Sequence, residues 1–479
     1  MRLGSVFANG RERRITPTPS EFGADAEILR GKLPRRAGGP PTLPITINAL
    51  CQDRLRLNQS MPLPTNPHKK RAVITGLGPI TCVGIGKENF YRALCAEKSG
   101  IGLLTRFNRG TCHARCAGEI RDWDPSQFFP PHRLKRLDRF AQFSVASARL
   151  ALADAGIAWS RETPQTDIGV SFGTALGGIS DAEEQHRHFL TRGPHAVHKT
   201  LALQIFGGSA HSNIAIECGF SGIGTTNSNS CASGAVAVGE ALRFIREGLA
   251  TVVVAGAAES PLSPLTFSAF DFIKTMSRFQ GDPPELACRP FDAARDGFVM
   301  GEGAASLIIE EYEHAKARNA PIYAELLGYS LNNEAHHMTT PLPSGEPVIR
   351  GIRTALADAG IVPEQIDYIN AHASSTQLND ANEIDAIKQV FGPHAQHLAI
   401  SGTKPYTAHP LGATSAMEAA ICALAIHQEF IPPTLHLAKP DFDLDLVPNH
   451  RRQKKLNYVL SNAFGFGGIN ACLVFGRVD

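Results

Sequence analysis

The heptapeptide ALADAGI occurs twice, at residues 151–157 and again at 355–361, and this repeat decides the fold class. Each copy ends a segment with helical periodicity, and its glycine, Gly156 or Gly360, is placed to stop the helix in a left-handed conformation. A short turn and an apolar strand follow each copy, at 167–170 and at 367–370. The matching order of helix, glycine, acidic residue and strand predicts two related α/β halves.

Further apolar runs extend this layout on both sides of the repeats. A strand at 251–256 follows a helix at 235–246, and a strand at 304–310 ends the first half. Runs at 458–462 and 471–475 predict a closing hairpin in the second half. Short continuous apolar strands separated by helices indicate sheets that are covered on both faces. The predicted halves span residues 71–315 and 316–479.

Composition excludes several classes of protein. The 479 residues carry 47 Lys/Arg and 45 Asp/Glu, so there is no dominating basic field for a nucleic acid. No apolar run reaches the roughly 18 residues that a membrane helix needs. None of the ten cysteines forms a Cys-x-x-Cys pair or a set with zinc-ligand spacing. We therefore expect no membrane or nucleic-acid partner, no bound metal and a cytoplasmic location.

Residues 1–70 differ from the rest of the chain. They hold 12 Lys/Arg, only 5 Asp/Glu and 9 of the 32 prolines, and they show neither helical nor strand periodicity. This composition predicts a disordered or loosely attached basic, Pro-rich N-terminal extension. Synthesis that begins at Met61 would remove most of it, and this alternative stays open.

Cys231 has the surroundings of a nucleophile. It lies in NSCASG, residues 229–234, directly before the helix at 235–246. Its small neighbours allow a substrate to reach the sulfur. Because the unpaired N–H groups and the dipole of a helix N-terminus stabilise a thiolate, the sequence predicts a lowered thiol pKa.

Two histidines and a glycine-rich turn supply complementary groups. His372 follows the strand at 367–370, where α/β sheets present functional side chains. His409 lies in a loop before a helix at 413–424, and FGFGG at 464–468 joins two strands and directs backbone N–H groups into a pocket. A cysteine can hold an acyl group as a thioester. Two neutral imidazoles can donate hydrogen bonds to a second thioester as it loses CO₂, and the N–H groups of Cys231 and Phe466 can bind the acyl oxygen.

These motifs resemble those of the β-ketoacyl–acyl-carrier-protein synthases, closest to the type II elongating enzymes. The resemblance rests on RAVITGLG (71–78), RPFDAARDGFVMGEG (289–303), NAFGFGG (462–468), the Cys231 turn and the two histidine loops, and it covers residues 70–477. It implies the thiolase-like fold, an α/β architecture of two duplicated βαβαβ-type halves in a five-layered α-β-α-β-α core. It also implies an acyl carrier protein as partner, substrates held on phosphopantetheine with no other cofactor, and a homodimer or a heterodimer with a related synthase subunit.

The resemblance also implies roles for individual residues. Cys231 is the acylated nucleophile, His372 and His409 are the decarboxylation pair, and Lys404 orients the His372 loop. The remaining implied residues are Phe464, Phe466 and Leu176 for gating and the acyl pocket, Ser374 and Thr376 for pantetheine, Asp380, Glu383 and (near His409) Glu418 as supporting acids, and Arg133, Lys135, Arg136 and Lys274 for carrier docking.

The same motifs separate the variants of the superfamily. A thiolase has a second cysteine in the C-terminal turn, where this chain has FGFGG, and the initiating synthases have Asn where this chain has His409. The predicted activity is therefore an acyltransferase that condenses a malonyl-carrier thioester, with loss of CO₂, onto an acyl group held by Cys231, in fatty-acid or polyketide-type elongation. The alternative is a catalytically impaired partner or scaffold subunit of a heterodimer.

Several positions depart from the family pattern and motivate that alternative. The chain has Ala373-Ser374 where the family has Gly-Thr, Ala408 where it has Gly, and Thr414-Ser415 where it has Ala-Gly. Replacing glycine by alanine is costly only where φ is positive. Because these changes cluster around the histidine loops, they favour a specialised synthase with an unusual acyl chain or partner.

Overall fold

The computed structural model describes residues 70–478. The predicted N-terminal extension, residues 1–70, lies outside this range apart from Lys70. The described chain contains thirteen α-helices: α1 Lys87–Cys95, α2 Pro131–Leu134, α3 Arg139–Ala155, α4 Ile179–Arg192, α5 Leu201–Gln204, α6 Ser209–Cys218, α7 Ser233–Arg246, α8 Pro264–Phe272, α9 Tyr312–Ala317, α10 Glu346–Ala359, α11 Gln377–Phe391, α12 Lys404–Thr407 and α13 Thr414–His427.

It also contains sixteen strands: β1 Ala72–Leu77, β2 Ile80–Thr81, β3 Gly84–Ile85, β4 Gly102–Leu103, β5 Cys116–Ala117, β6 Ile168–Gly173, β7 Gly224–Asn227, β8 Val252–Glu259, β9 Gly303–Glu311, β10 Ala324–Asn333, β11 Tyr368–Asn370, β12 Ala399–Ser401, β13 Phe430–Ile431, β14 Arg452–Gln453, β15 Tyr458–Gly465 and β16 Ile469–Gly476. The predicted strands and helices are all present, and β8, β15 and β16 are longer than their apolar runs. No described helix is long and apolar enough to cross a membrane.

Twelve strands share one continuous hydrogen-bonded sheet, whose main order is β12-β11-β15-β16-β10-β1-β9-β8-β6-β7. In the first half, β7, β6 and β8 are parallel, and β9 and β1 follow antiparallel. In the second half, β12, β11 and β15 are parallel, and β16 and β10 follow antiparallel. The two halves therefore repeat the same strand order, and they meet where β1 pairs with β10. This arrangement confirms the predicted duplication.

Three hydrophobic clusters show the five layers. The first lies between the first half's strands and the outer helices α3 and α6, and the third between the second half's strands and α10 and α11. The central cluster combines α7 and α13 with strands from both halves. Adjacent residues of β8 face different clusters, Val253 the central one and Val254 the outer one, as alternation along a strand requires. The α-β-α-β-α core is confirmed.

The repeated heptapeptide has one structural task in both halves. It ends α3 and α10, where Gly156 and Gly360 adopt φ of 66° and 70°. A Cβ on Gly76 of β1 would lie 2.2 Å from the carbonyl oxygen of Ala151, and one on Gly328 of β10 would lie 2.4 Å from that of Ala355. The helix thus packs directly on a glycine of the central strand. Both copies of the heptapeptide keep small residues, because the helix lies too close to the strand for larger side chains to fit.

The repeated aspartate contacts the same central strands. Asp154 Oδ2 accepts a hydrogen bond from the N–H of Leu77 at 2.9 Å, and Asp358 Oδ2 accepts one from the N–H of Tyr329 at 3.1 Å. Both strands carry an irregularity in their pairing beside these glycines. In each half, the carboxylate therefore accepts a hydrogen bond from a strand N–H group at the point where the pairing between strands is irregular.

Candidate active site

Cys231 lies in a single 3₁₀ turn, Ser230–Ala232, that leads into α7. Ser233 holds this turn, since its hydroxyl donates to the carbonyl of Ser230 at 2.7 Å and accepts from the N–H of Asn229 at 2.9 Å. The thiol is buried, and its Sγ lies 3.1 Å from Nε2 of His409. The small residues around the cysteine therefore form a sharp turn that leads directly into the helix.

The predicted lowering of the thiol pKa is wrong for the protein without substrate. Burial raises the pKa of Cys231 to about 11, although the Ser230 hydroxyl, the charge of Lys404 and the backbone N–H of Phe466 act in the opposite direction. Removing the thiol from water outweighs the groups that stabilise its anion. Cys231 therefore carries its proton before substrate binds.

His372 lies two residues beyond β11, as predicted, and Lys404 fixes its orientation. The Lys404 Nζ lies 3.5 Å from Nδ1 of His372 and donates to the carbonyl of the same residue. An ammonium group can only donate, so Nδ1 is an acceptor and the ring proton sits on Nε2. Burial, followed by the charge of Lys404, lowers the pKa of His372 well below its ordinary value, which keeps the imidazole neutral.

His409 faces Cys231 on one side and a threonine on the other. Its Nδ1 lies 2.7 Å from Oγ1 of Thr414, and its ring centroid lies 5.6 Å from that of His372. Burial and the charge of Lys404 lower its pKa well below the ordinary value. Two neutral imidazoles therefore border one space beside the Cys231 sulfur.

Three buried carboxylates support these loops, and one of them differs from the prediction. Glu418 was expected near His409, but its Oε1 pairs with Nζ of Lys404 at 2.7 Å, and the Nδ1 partner of His409 is Thr414. The reason is that Glu418 lies one helical turn beyond Thr414 in α13, so that Thr414 reaches the ring of His409 and Glu418 reaches Lys404 at the start of α12. Glu418 thus acts on His372 through Lys404.

The other two carboxylates, of Glu383 and Asp380, accept hydrogen bonds from backbone N–H groups. Glu383 accepts from the N–H groups of His372 and Ala373, both at 2.9 Å, and from the side chain of Asn462 at 3.0 Å. Asp380 accepts from the N–H of Phe291 at 3.0 Å. Glu383 therefore fixes the path of the His372 loop, and Asp380 joins α11 to the first half.

The two alanines that replace family glycines both have positive φ, 42° at Ala373 and 58° at Ala408. This conformation is strained for any residue with a Cβ. Each methyl group faces a glycine: a Cβ on Gly402 would lie 2.5 Å from that of Ala373, and one on Gly118 would lie 2.7 Å from that of Ala408. The surrounding glycines therefore make room for the methyl groups on both histidine loops.

Two cavities meet at Cys231 and Phe466. The first, of about 270 Å³, contains both histidines, Phe464, the hydroxyls of Ser374 and Thr376, and Lys274. The second, of about 310 Å³, is lined mainly by apolar side chains: Leu176, Phe270, Met338, Leu411 and Ile469. The ring of Phe466 borders both cavities and stacks on Phe270 with centroids 6.3 Å apart. The site therefore has two arms beside the sulfur: one that holds the histidines, the two hydroxyls and Lys274 (the polar arm), and one lined mainly by apolar side chains (the apolar arm).

The predicted docking residues differ in exposure. Arg133 is largely buried and pairs with Glu217, which also binds Arg149 at 2.9 Å. Lys135, Arg136 and Lys274 are exposed, and Lys274 borders the first cavity. Because its guanidinium is already paired inside the protein, Arg133 is not part of the open basic surface.

Sequence reasoning missed two contacts and one residue. Thr414 and Ser415 appeared only as departures from the family pattern, with no indication that they touch His409 and Cys231. Glu259, at the end of β8, accepts from the N–H groups of Ala175, Leu176 and Gly412. A lone glutamate that ends an apolar strand was its only signal.

Comparison with known proteins places the whole described chain in one group. Residues 69–315 match the family model "Beta-ketoacyl synthase, N-terminal domain", and residues 323–438 match "Beta-ketoacyl synthase, C-terminal domain". A 3-oxoacyl-[acyl-carrier-protein] synthase 2 from Synechocystis sp. is 40% identical, over 86% of this chain and 99% of the relative. One from Coxiella burnetii is 41% identical over the same shares of the two chains.

Solved structures with the same fold include ketosynthases. One is a type II polyketide synthase ketosynthase in complex with its acyl carrier protein and bound to the hexaketide, at 34% identity and a TM-score of 0.78. Another is the ishigamide ketosynthase/chain length factor, at 35% identity and a TM-score of 0.80. Each comparison covers 86% of this chain and 100% of the other.

Proposed function

The chain belongs to the β-ketoacyl synthase family and is an elongating condensing enzyme, and from this premise we propose that Cys231, His372 and His409 are its catalytic residues. One observation carries the assignment: the Cys231 sulfur lies 3.1 Å from Nε2 of His409, and the neutral ring of His372 borders the same cavity.

In the first step, the Cys231 sulfur attacks the carbonyl carbon of an acyl-carrier thioester. A new S–C bond forms, the bond to the carrier sulfur breaks, and the Cys231 proton leaves with the carrier thiol. The backbone N–H groups of Cys231 and Phe466 bind the carbonyl oxygen as it gains charge. Donors fixed at that position stabilise the transition state more than the ground state.

In the second step, a malonyl-carrier thioester enters the polar arm. Its C–CO₂ bond breaks, and the electron pair moves into an enolate whose oxygen accepts hydrogen bonds from Nε2–H of His372 and of His409. The enolate carbon then attacks the Cys231 thioester, the C–S bond breaks, and the released thiolate takes a proton from the solvent. Neutral imidazoles suit this task because they donate without losing a proton to the enolate.

The two arms of the site suggest where the substrates lie. The Ser374 and Thr376 hydroxyls, 2.8 Å apart, are placed to bind the pantetheine amides in the polar arm. The apolar arm, which Leu176 helps to line, suits the growing acyl chain, and Phe466 borders both arms. Since both substrates arrive as thioesters, this chemistry needs no further cofactor.

An acyl carrier protein is the proposed partner, as in the complex of the related ketosynthase. Lys274 at the cavity mouth, with Lys135 and Arg136, supplies positive charge for an acidic carrier. A homodimer is proposed from the family resemblance, and the relative with a chain length factor makes a heterodimer the other arrangement to test. A cytoplasmic location remains a proposal from the cysteine spacing. The alternative of an impaired scaffold subunit is not favoured, because all three catalytic side chains are in place.

Mass spectrometry after incubation with an acyl-carrier thioester tests the assignment. We expect one acyl adduct on the wild type, none on Cys231→Ser, and a full adduct on the control Cys95→Ser, which alters a half-buried cysteine at the end of α1. An equal adduct on Cys231→Ser would contradict the role of Cys231.

A further inference from the structure

Two consecutive hydroxyls at the start of α13 contact both reacting residues. Thr414 Oγ1 lies 2.7 Å from Nδ1 of His409. Ser415 Oγ donates to the carbonyl of Cys231 at 3.0 Å and accepts from the N–H of Ala235 at 2.9 Å. Both side chains are buried. One helix end is therefore tied to the nucleophile turn and to the histidine beside it.

The hydroxyl of Thr414 is the group that faces Nδ1 of His409. The N–H groups of residues 412–414 donate elsewhere: that of Gly412 to Glu259, that of Ala413 to the carbonyl of Pro410 and that of Thr414 to the carbonyl of Leu411. Pro410, which follows the histidine, has no N–H to offer. Within residues 70–478, Thr414 is the only hydrogen-bond partner of Nδ1.

We propose that Thr414 is a positioning residue for His409, and this inference rests on the proposed function. Its hydroxyl donates to Nδ1 and keeps the imidazole in the tautomer that carries its proton on Nε2. Thr414 thereby acts on His409 as Lys404 acts on His372. The chain provides this donor at a position where the family pattern has alanine.

The tautomer matters in both steps of the reaction. With the proton on Nε2, His409 donates to the Cys231 sulfur as negative charge develops there, and later to the enolate oxygen. In the other tautomer, the Nε2 lone pair points at the same atoms, which favours the protonated thiol and repels the enolate. Loss of the hydroxyl should therefore slow decarboxylation and make Cys231 harder to ionise.

The first test measures CO₂ release from malonyl-carrier thioester by the acylated enzyme. Thr414→Val removes the hydroxyl at nearly constant volume, and we expect release to fall about tenfold, the size of one hydrogen bond of about 1.4 kcal/mol. Thr414→Ser should restore most of the rate. Thr407→Val is the matched control, because this buried threonine lies two residues before His409 and, within the described chain, its hydroxyl donates only to the carbonyl of Ala408.

The second test measures the pH dependence of Cys231 alkylation by iodoacetamide, a readout that a merely structural role would not move. The profile of Thr414→Val should shift to higher pH, while those of Thr414→Ser and Thr407→Val stay with the wild type. If Thr414→Val does not fold, Thr414→Ala replaces it with the same expected shift.

The outcomes separate the two proposals. A wild type that neither acylates Cys231 nor releases CO₂ defeats the proposed function. An active wild type with an unchanged Thr414→Val, in both rate and alkylation profile, overturns the role of Thr414 alone.

Discussion

Replacing Lys404 by methionine should cost more stability as the pH rises. Lys404 and Glu418 form a buried ion pair at 2.7 Å, and the second oxygen of Glu418, Oε2, has no partner within the described chain. Removing one member of a buried pair typically costs about 3–5 kcal/mol, because the other charge is left uncompensated. We expect Lys404→Met to lose about 3 kcal/mol of unfolding free energy at pH 8.

The sign of the pH dependence follows from Glu418. Burial raises the pKa of this carboxyl above its ordinary value, and the charge of Lys404 opposes that rise. Without Lys404, the folded-state pKa moves higher still. At a pH between the Glu418 pKa of the folded wild type and that of folded Lys404→Met, the folded variant holds a proton that its unfolded chain releases. The unfolding free energy that the variant has lost relative to the wild type therefore grows by about 1.4 kcal/mol per pH unit in this range.

Urea unfolding at pH 6 and pH 8 measures this effect. The double variant Lys404→Met/Glu418→Gln should be more stable than Lys404→Met at pH 8. Its glutamine side chain is neutral, so no unpaired carboxylate is buried at this position. The same deficit for Lys404→Met at both pH values, or a double variant that loses the sum of the two single losses, would refute the reasoning.

Three further predictions concern catalysis, specificity and the fold. His372→Ala should still take up an acyl group on Cys231 but release CO₂ at least a hundredfold more slowly, and undiminished release would remove His372 from its role. Leu176→Trp should shift the preferred acyl chain to shorter lengths, since Leu176 borders the apolar cavity; an unchanged profile over a chain-length panel would contradict this. Gly76→Ala and Gly328→Ala should each lose about 2–4 kcal/mol in urea unfolding, because the new Cβ would lie 2.2 or 2.4 Å from a helix carbonyl. Gly351→Ala, with a side-chain amide 3.3 Å away, is the control and should change little.

The duplicated architecture could be predicted because its signals are local. The repeated heptapeptide, the glycines that end two helices and the apolar strands lie within short stretches whose periodicity reports the elements directly. The turn that carries Cys231 and the loops that carry His372 and His409 could be located for the same reason. Their place after a strand or before a helix is a property of neighbouring residues.

The chemistry of the site depended on partners that lie far apart in the chain and on burial. His409 meets Cys231 across 178 positions, and Ser415 meets it across 184. The turn before α7 alone predicts an acidic thiol, but enclosure by both halves raises its pKa instead. Glu418 pairs with Lys404 across 14 positions, a contact that the residues next to either one do not indicate. The sequence by itself determined which residues are available, whereas the tertiary structure decided their partners and charge states, because desolvation and contact exist only once the halves are joined.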